Sequence, residues 1–320
     1  MTTDSTFAAR PDLVRLDPEV RPAAAAHDVL EFELATLPAD RDRLNTTSAQ
    51  RAAAVDVTGI DIESHQIADT GGANLDLRIY RGAATSAVPI VVFAHGGGFV
   101  TGNLDTDHSL CAELARSVNC VVVSVDYRLA PEQPCPAALN DVHRAFDYAI
   151  AHAGPLNADP DRIAVVGRDA GAALVAGLAQ RMFDAEGPQI RLQLLHEPML
   201  DPDPTRSRRE FARIPGLSGH AMDRGWEHYR HGTAPSQHIA PAHRRNLEGL
   251  PPAFISCADI NPCRDEAVGY SNRLLHAYVP TELHVFAAAF PAMESMHEHG
   301  AVSRDLRALQ VRSLRRSFSY

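Results

Sequence analysis

The chain has 320 residues, of which 45% are hydrophobic and 22% charged, and it carries a net charge of -10. This is the balance of a soluble globular protein with one core and a small appendage, not of a disordered or fibrous chain, and the acidic surplus argues against nucleic acid as a partner. No stretch approaches the ~20 apolar residues of a membrane helix, and Met1 to Pro11 lacks the basic and apolar parts of an export signal, so the expected location is cytoplasmic.

Residues 1–55 hold Ala-rich and Pro-punctuated stretches such as Pro22-Ala23-Ala24-Ala25-Ala26. They predict a helical arm outside any sheet, contributing to a cap. From Ile60 onward, short β-branched runs alternate with helical patterns, the mark of βαβ units and a mostly parallel sheet. Strands are expected at Ile90 to Ala94, Cys120 to Val125, Ile163 to Val166, Leu192 to Leu195, Ala253 to Cys257 and Leu283 to Phe286. Their near-continuous apolar character suits strands buried on both faces. Helices are expected at about 106–118, 136–152, 171–184, 264–278 and 301–316. The core is thus placed in 56–320, with 205–235 as a cap insertion whose Phe211, Leu217, Met222, Trp226 and Tyr229 either line a pocket or anchor a helix.

Three constellations carry chemistry. The first, His95-Gly96-Gly97-Gly98-Phe99, directly follows a predicted strand and leaves backbone amides free to face a ligand. In the second, Gly167-Arg168-Asp169-Ala170-Gly171 sits between a strand and a helix, the setting of a nucleophile elbow. The third is Asn261-Pro262-Cys263-Arg264-Asp265-Glu266, with Ala289-Phe290-Pro291 further on. His196 and Glu197 follow another strand, at the end of the sheet where open α/β folds bind ligands.

Together with Asp126-Tyr127-Arg128-Leu129-Ala130-Pro131-Glu132, these segments resemble the hormone-sensitive-lipase family of carboxylesterases. The resemblance implies an α/β-hydrolase fold, a mostly parallel twisted sheet flanked by helices with a small helical cap. It implies an oxyanion hole from Gly96, Gly97, Gly98 and Ala170, and a Tyr-Arg-Leu-Ala-Pro-Glu segment bracing the catalytic loops. It also places Asp169 at the family's nucleophilic serine, Asn261 at its aspartate and Pro291 at its histidine, so that all three positions of the triad carry other residues.

Serine hydrolysis needs a hydroxyl, an imidazole that activates it and a carboxylate that orients the imidazole. Ordinary esterase activity is therefore expected to be absent or very weak. One reading keeps Asp169 as a general base beside amides that stabilise an enolate, in a pocket for an apolar carbonyl-containing small molecule bordered by His95, Phe99, Arg168, His196, Met222 and Trp226. A second makes Asp169 a helix N-cap whose carboxylate fills the oxyanion hole, leaving a silent ligand-binding or scaffold protein. A third makes Asp169 a nucleophile, as in the haloalkane dehalogenases and epoxide hydrolases of this fold, with His297 or His299 as a displaced base.

Five cysteines without a C-x-x-C pair suggest buried apolar side chains and no disulfide framework. The cluster His297, Glu298, His299 has poor spacing for a metal, and no dinucleotide or phosphate-loop motif is present, so no metal or cofactor is expected. The expected partner is a small-molecule ligand or substrate, and the family resemblance is compatible with a homodimer.

Overall fold

The computed structural model describes residues 14–68, 74–233, 236–292 and 300–319. The arm contributes α1 (Arg21–Ala26), β1 (Val29–Leu30) and α2 (Leu37–Ala53). Pro22 and Pro38 fall in the first turns of α1 and α2, where a missing N–H breaks no helical hydrogen bond. Then follow β2 (Ile60–Ile67), β3 (Leu75–Gly82), β4 (Val88–Ala94) and α3 (His108–Leu114), which a π-helical turn prolongs through Ala115–Asn119. Next come β5 (Val121–Val125), α4 (Ala137–Ala151), β6 (Ala158–Arg168), α5 (Ala170–Asp184) and β7 (Ile190–His196). The chain continues with α6 (Arg206–Glu210), β8 (Gly216–Leu217), α7 (Gly219–Arg230), β9 (Ala253–Ala258), α8 (Arg264–His276), β10 (Thr281–Phe286) and α9 (Ala301–Ser317).

Eight strands form one sheet in the order β10-β9-β7-β6-β4-β5-β3-β2. Strand β3 runs antiparallel to both its neighbours, β2 and β5, and the other pairs are parallel. Every residue of β4, β5 and β9 is buried, as strands covered on both faces require. Alternate residues feed two cores. Val92, Val123, Val165 and Leu195 pack with Ala145 of α4 and Val175 of α5, while Phe93, Val122, Val166 and Leu194 pack with Ala112 of α3 and Leu314 of α9. Each such Val or Leu contributes about 1.5–3 kcal/mol over an exposed position.

The register aligns the strand ends. Ala94 pairs with Gly167, Arg168 with His196, and His196 with Ser256. The loops that carry His95, Asp169, Glu197 and Asn261 consequently leave the sheet along one rim. The arm crosses toward this rim, where β1 and β8 pair in parallel, Val29 with Gly216 and Leu30 with Leu217. Ser218 Oγ donates to the Leu30 carbonyl at 2.6 Å, and His228 Nε2 lies 3.0 Å from the Phe32 carbonyl. All five cysteines are buried and free, and no helix among the described residues is long and apolar enough to cross a membrane.

Candidate functional site

Between β6 and α5 the backbone turns at Asp169 with φ 39° and ψ -106°, a conformation that costs a non-glycine residue energy and marks functional turns. The surroundings hold it there: Asp169 N donates to His196 O at 2.9 Å, and Met199 N donates to Asp169 O at 3.1 Å. The flanking glycines are sterically required. A Cβ on Gly171 would stand 2.1 Å from Ala94 O, and one on Gly167 2.4 Å from Gly171 O. This close approach seats the elbow against the loop after β4.

That loop takes φ 128° at Gly97 and 60° at Gly98, turning two amides toward the elbow. They meet the Asp169 side chain. Gly97 N donates to Oδ1 at 3.0 Å and to Oδ2 at 2.9 Å, and Gly98 N donates to Oδ1 at 3.1 Å. Ala170 N also donates to Asp169 Oδ1. Burial pushes the Asp169 carboxyl above its ordinary range, and the Arg168 guanidinium and the three amides offset this only in part.

Gly96, expected among these amides, departs from that expectation. Its N–H donates to Asp107 Oδ2 at 3.0 Å, and the φ of Gly97 lets the chain turn before the next two amides reach Asp169. Asp107 Oδ1 also lies 3.2 Å from Arg168 Nε, so the arginine braces the loop from the side. Nothing in the sequence spacing singled out Asp107. Its role rests on a contact between segments far apart in the chain.

The residues expected around a pocket are closely packed. Phe99 stacks on Tyr229 with centroids 4.1 Å apart and meets Trp226 at 4.8 Å, and Met222 belongs to the same buried cluster. The surfaces of Phe99 and Met222 are fully covered and that of Trp226 is 2% exposed, so these three fill the space that a pocket lining would border. A Cβ on Gly98 would lie 2.7 Å from the Phe32 ring, which closes the elbow from the arm side. His95 stacks on Tyr127 at 4.1 Å, and burial drives its imidazole down to about 4, so it is neutral. His196 Nδ1 lies 2.9 Å from Ser256 Oγ inside the sheet rim.

The Tyr127–Glu132 segment braces the glycine loop in detail. Tyr127 Oη donates to His95 O at 2.9 Å, and Ala130 N donates to Phe99 O at 3.0 Å. Arg128 grips Asp141 of α4 with two bonds of 2.8 and 2.9 Å. From α2, Arg41 adds bonds to Val100 O at 2.6 Å and Ala130 O at 2.7 Å. The arm is therefore clamped to the loop.

Asn261 and Pro291 lie on the other side of the rim. Asn261 Nδ2 donates to Glu197 Oε1 at 2.8 Å, while Ala292 N, next to the buried Pro291, donates to Glu197 Oε2 at 3.0 Å. Glu197 thus bridges the two positions. Asn261 Oδ1 accepts from Cys263 N at 2.8 Å, capping the turn into α8. His297, Glu298 and His299 lie outside the described residues.

Residues 91–293 match the family described as alpha/beta hydrolase fold. The esterase LipI of Mycobacterium tuberculosis is 41% identical over 202 residues, which are 61% of this chain and 62% of LipI's length. The carboxylesterase NlhH of the same organism is 37% identical over 230 residues, 69% of this chain and 72% of its own. Among solved structures, the esterase LipW from Mycobacterium marinum superimposes with a TM-score of 0.91 at 42% identity, over 96% of this chain and 97% of that one. With its parallel sheet, elbow and glycine loop in register, the chain belongs to the alpha/beta hydrolase family, on the hormone-sensitive-lipase-like side where its relatives are named esterases.

Proposed function

We propose that this chain is an alpha/beta hydrolase that has given up ester hydrolysis and serves as a binding or scaffold protein. One observation carries the reading: the Asp169 carboxylate accepts the amides of Gly97, Gly98 and Ala170. In a serine hydrolase such amides stabilise the oxyanion of the tetrahedral intermediate. Here a resident anion takes them. The family resemblance puts serine, aspartate and histidine where Asp169, Asn261 and Pro291 stand, and neither Asn261 nor Pro291 can supply the proton transfer that acyl transfer needs.

The general-base reading asks the same amides to hold an enolate while Asp169 removes a proton, and the carboxylate already engages them. The nucleophile reading asks for a free carboxylate oxygen and a base that takes a proton from the water attacking the resulting ester. The packed Phe32, Phe99, Met222 and Trp226 also favour a closed elbow, with the arm and 205–235 acting together as the cap.

The test is turnover of p-nitrophenyl acetate and butyrate by the wild type beside Asp169→Ala, with intact-protein mass recorded afterwards. Equal background rates and an unchanged mass are expected. Turnover lost in the variant, or a mass gain that maps to Asp169, would return the chain to the hydrolases.

A further inference from the structure

The dipeptide Asp-Ala occurs twice, at 169–170 and at 184–185, and the two stand in opposite settings. Asp184 ends α5, whose regular ψ is about -42°, and Ala185 N donates to Arg181 O at 3.0 Å. At Asp169 the φ of 39° and ψ of -106° approach the first central position of a type II′ turn, about +60° and -120°. This ψ leaves the Cα–Cβ bond almost eclipsed with the bond from the Asp169 carbonyl carbon to Ala170 N. The side-chain carboxyl therefore lies alongside that nitrogen.

The Ala170 N–H is one of the helix-opening amides that no helical carbonyl takes up, and it donates to Asp169 Oδ1 instead. When its hydrogen moves to that oxygen, the electron pair left in the peptide plane faces the carboxyl carbon, Cγ. Attack there puts negative charge on a carboxyl oxygen, where Gly97 N and Gly98 N are in place to receive it. Amides set for an oxyanion then stabilise a tetrahedral centre formed by the chain's own nitrogen. Burial keeps the carboxyl protonated to higher pH than usual, and OH leaves more readily than oxide. The bonds from Asp169 N to His196 O and from Met199 N to Asp169 O hold the backbone in this arrangement, so the reaction is spared the cost of reaching it.

We propose that Asp169 and Ala170 are a site of self-modification, closing to a five-membered cyclic imide. The bond from Ala170 N to Asp169 Cγ forms, a Cγ–O bond breaks, and the amide hydrogen leaves with the carboxylic OH as one water. The product is neutral, its ring holds ψ close to the value the elbow has, and its new carbonyl keeps an oxygen on the glycine amides. Asp169 is 7% exposed, so water reaches the ring slowly. An elbow without an activated serine thus carries out one acyl transfer, on its own backbone.

The full chain, without ester, is incubated for days in mildly acidic buffer, and intact mass and fragmentation are read in acid. Folded wild type should lose one water, located at 169–170, while 184–185 stays intact. In urea, where the elbow is lost, the two Asp-Ala pairs should behave alike. Asp169→Glu, whose ring would need a sixth atom, should keep its full mass. A loss of water is opposite in sign to the mass gain of an acyl adduct, so this outcome is separate from that of the ester test. No loss at 169–170 in the folded chain would overturn the proposal, as would an equal loss at 184–185 or a loss at 169–170 that urea leaves unchanged.

Discussion

Two buried carboxylates near one rim of the sheet are held in different ways. Glu266 of α8 accepts Leu200 N at 2.7 Å and Asp201 N at 2.9 Å, and it is in contact with the buried guanidinium of Arg208. Burial works against the charge on Arg208, yet Glu266 and Asp223 keep the guanidinium protonated above its ordinary value. Asp169 has three amides, while the Nε of its neighbour Arg168 turns to Asp107. Burial raises both carboxyls, Glu266 to about 7 with Arg208 as its largest offset, and Asp169 with Arg168 ahead of each of the three amides. Glu266 ties the α6 segment to α8 through a direct ion pair, whereas the Asp169 carboxylate is held by backbone amides at its own rim.

The sharpest way to break the contrast is Arg208→Met, which strands the Glu266 charge in the core. A loss of about 3–5 kcal/mol is expected in urea unfolding. A loss below ~1 kcal/mol would show that the ion pair is dispensable.

Asp169→Asn should have a smaller effect, about 1–3 kcal/mol, because an amide NH₂ then faces backbone donors. Its pH dependence sharpens the comparison. The folded state raises the Asp169 value above 3.8, so it binds more protons than the unfolded chain from about that pH up to the folded value. The advantage of wild type over Asp169→Asn should be complete below 3.8 and decline as pH rises through that window. A flat difference across the window would show that Arg168 and the amides together offset the burial in full.

The smallest effect belongs to a half-buried carboxylate, Glu282, which meets Arg312 at 2.7 Å and Arg316 at 3.1 Å on largely solvated arginines. Glu282→Gln should change the melting free energy by no more than ~1 kcal/mol, and less in high salt.

Most of the fold was legible because it is written in local patterns. Each of the six expected strands and five expected helices has its counterpart, since buried parallel strands read as unbroken apolar runs, although β10, at the sheet edge, is half-buried rather than covered on both faces. The edge strand β2 was not delimited: its residues alternate with polar ones and are mostly half-buried. The helix expected over 106–118 divides into α3 and a π turn, a change of hydrogen bonding that periodicity does not report.

At the rim, the glycine spacing located the elbow and its loop, because glycines are required where backbones nearly touch. The directions of the side chains were not legible. That Gly96 serves Asp107, that Arg168 faces the same carboxylate, and that Glu197 joins Asn261 to Ala292 depend on contacts across 11 to 95 positions. Of these residues, Gly96, Arg168, Glu197 and Asn261 each carried a sequence signal by position, and Asp107 carried none.

The short pairing of β1 with β8 has a consequence for motion. Residues 29–30 and 216–217 share a ladder that also positions Ser218 Oγ on Leu30 O, so the arm and the segment before α7 are mechanically one body. Through this ladder a displacement of either pulls on the other, so two segments distant in the chain are tied together beside the elbow.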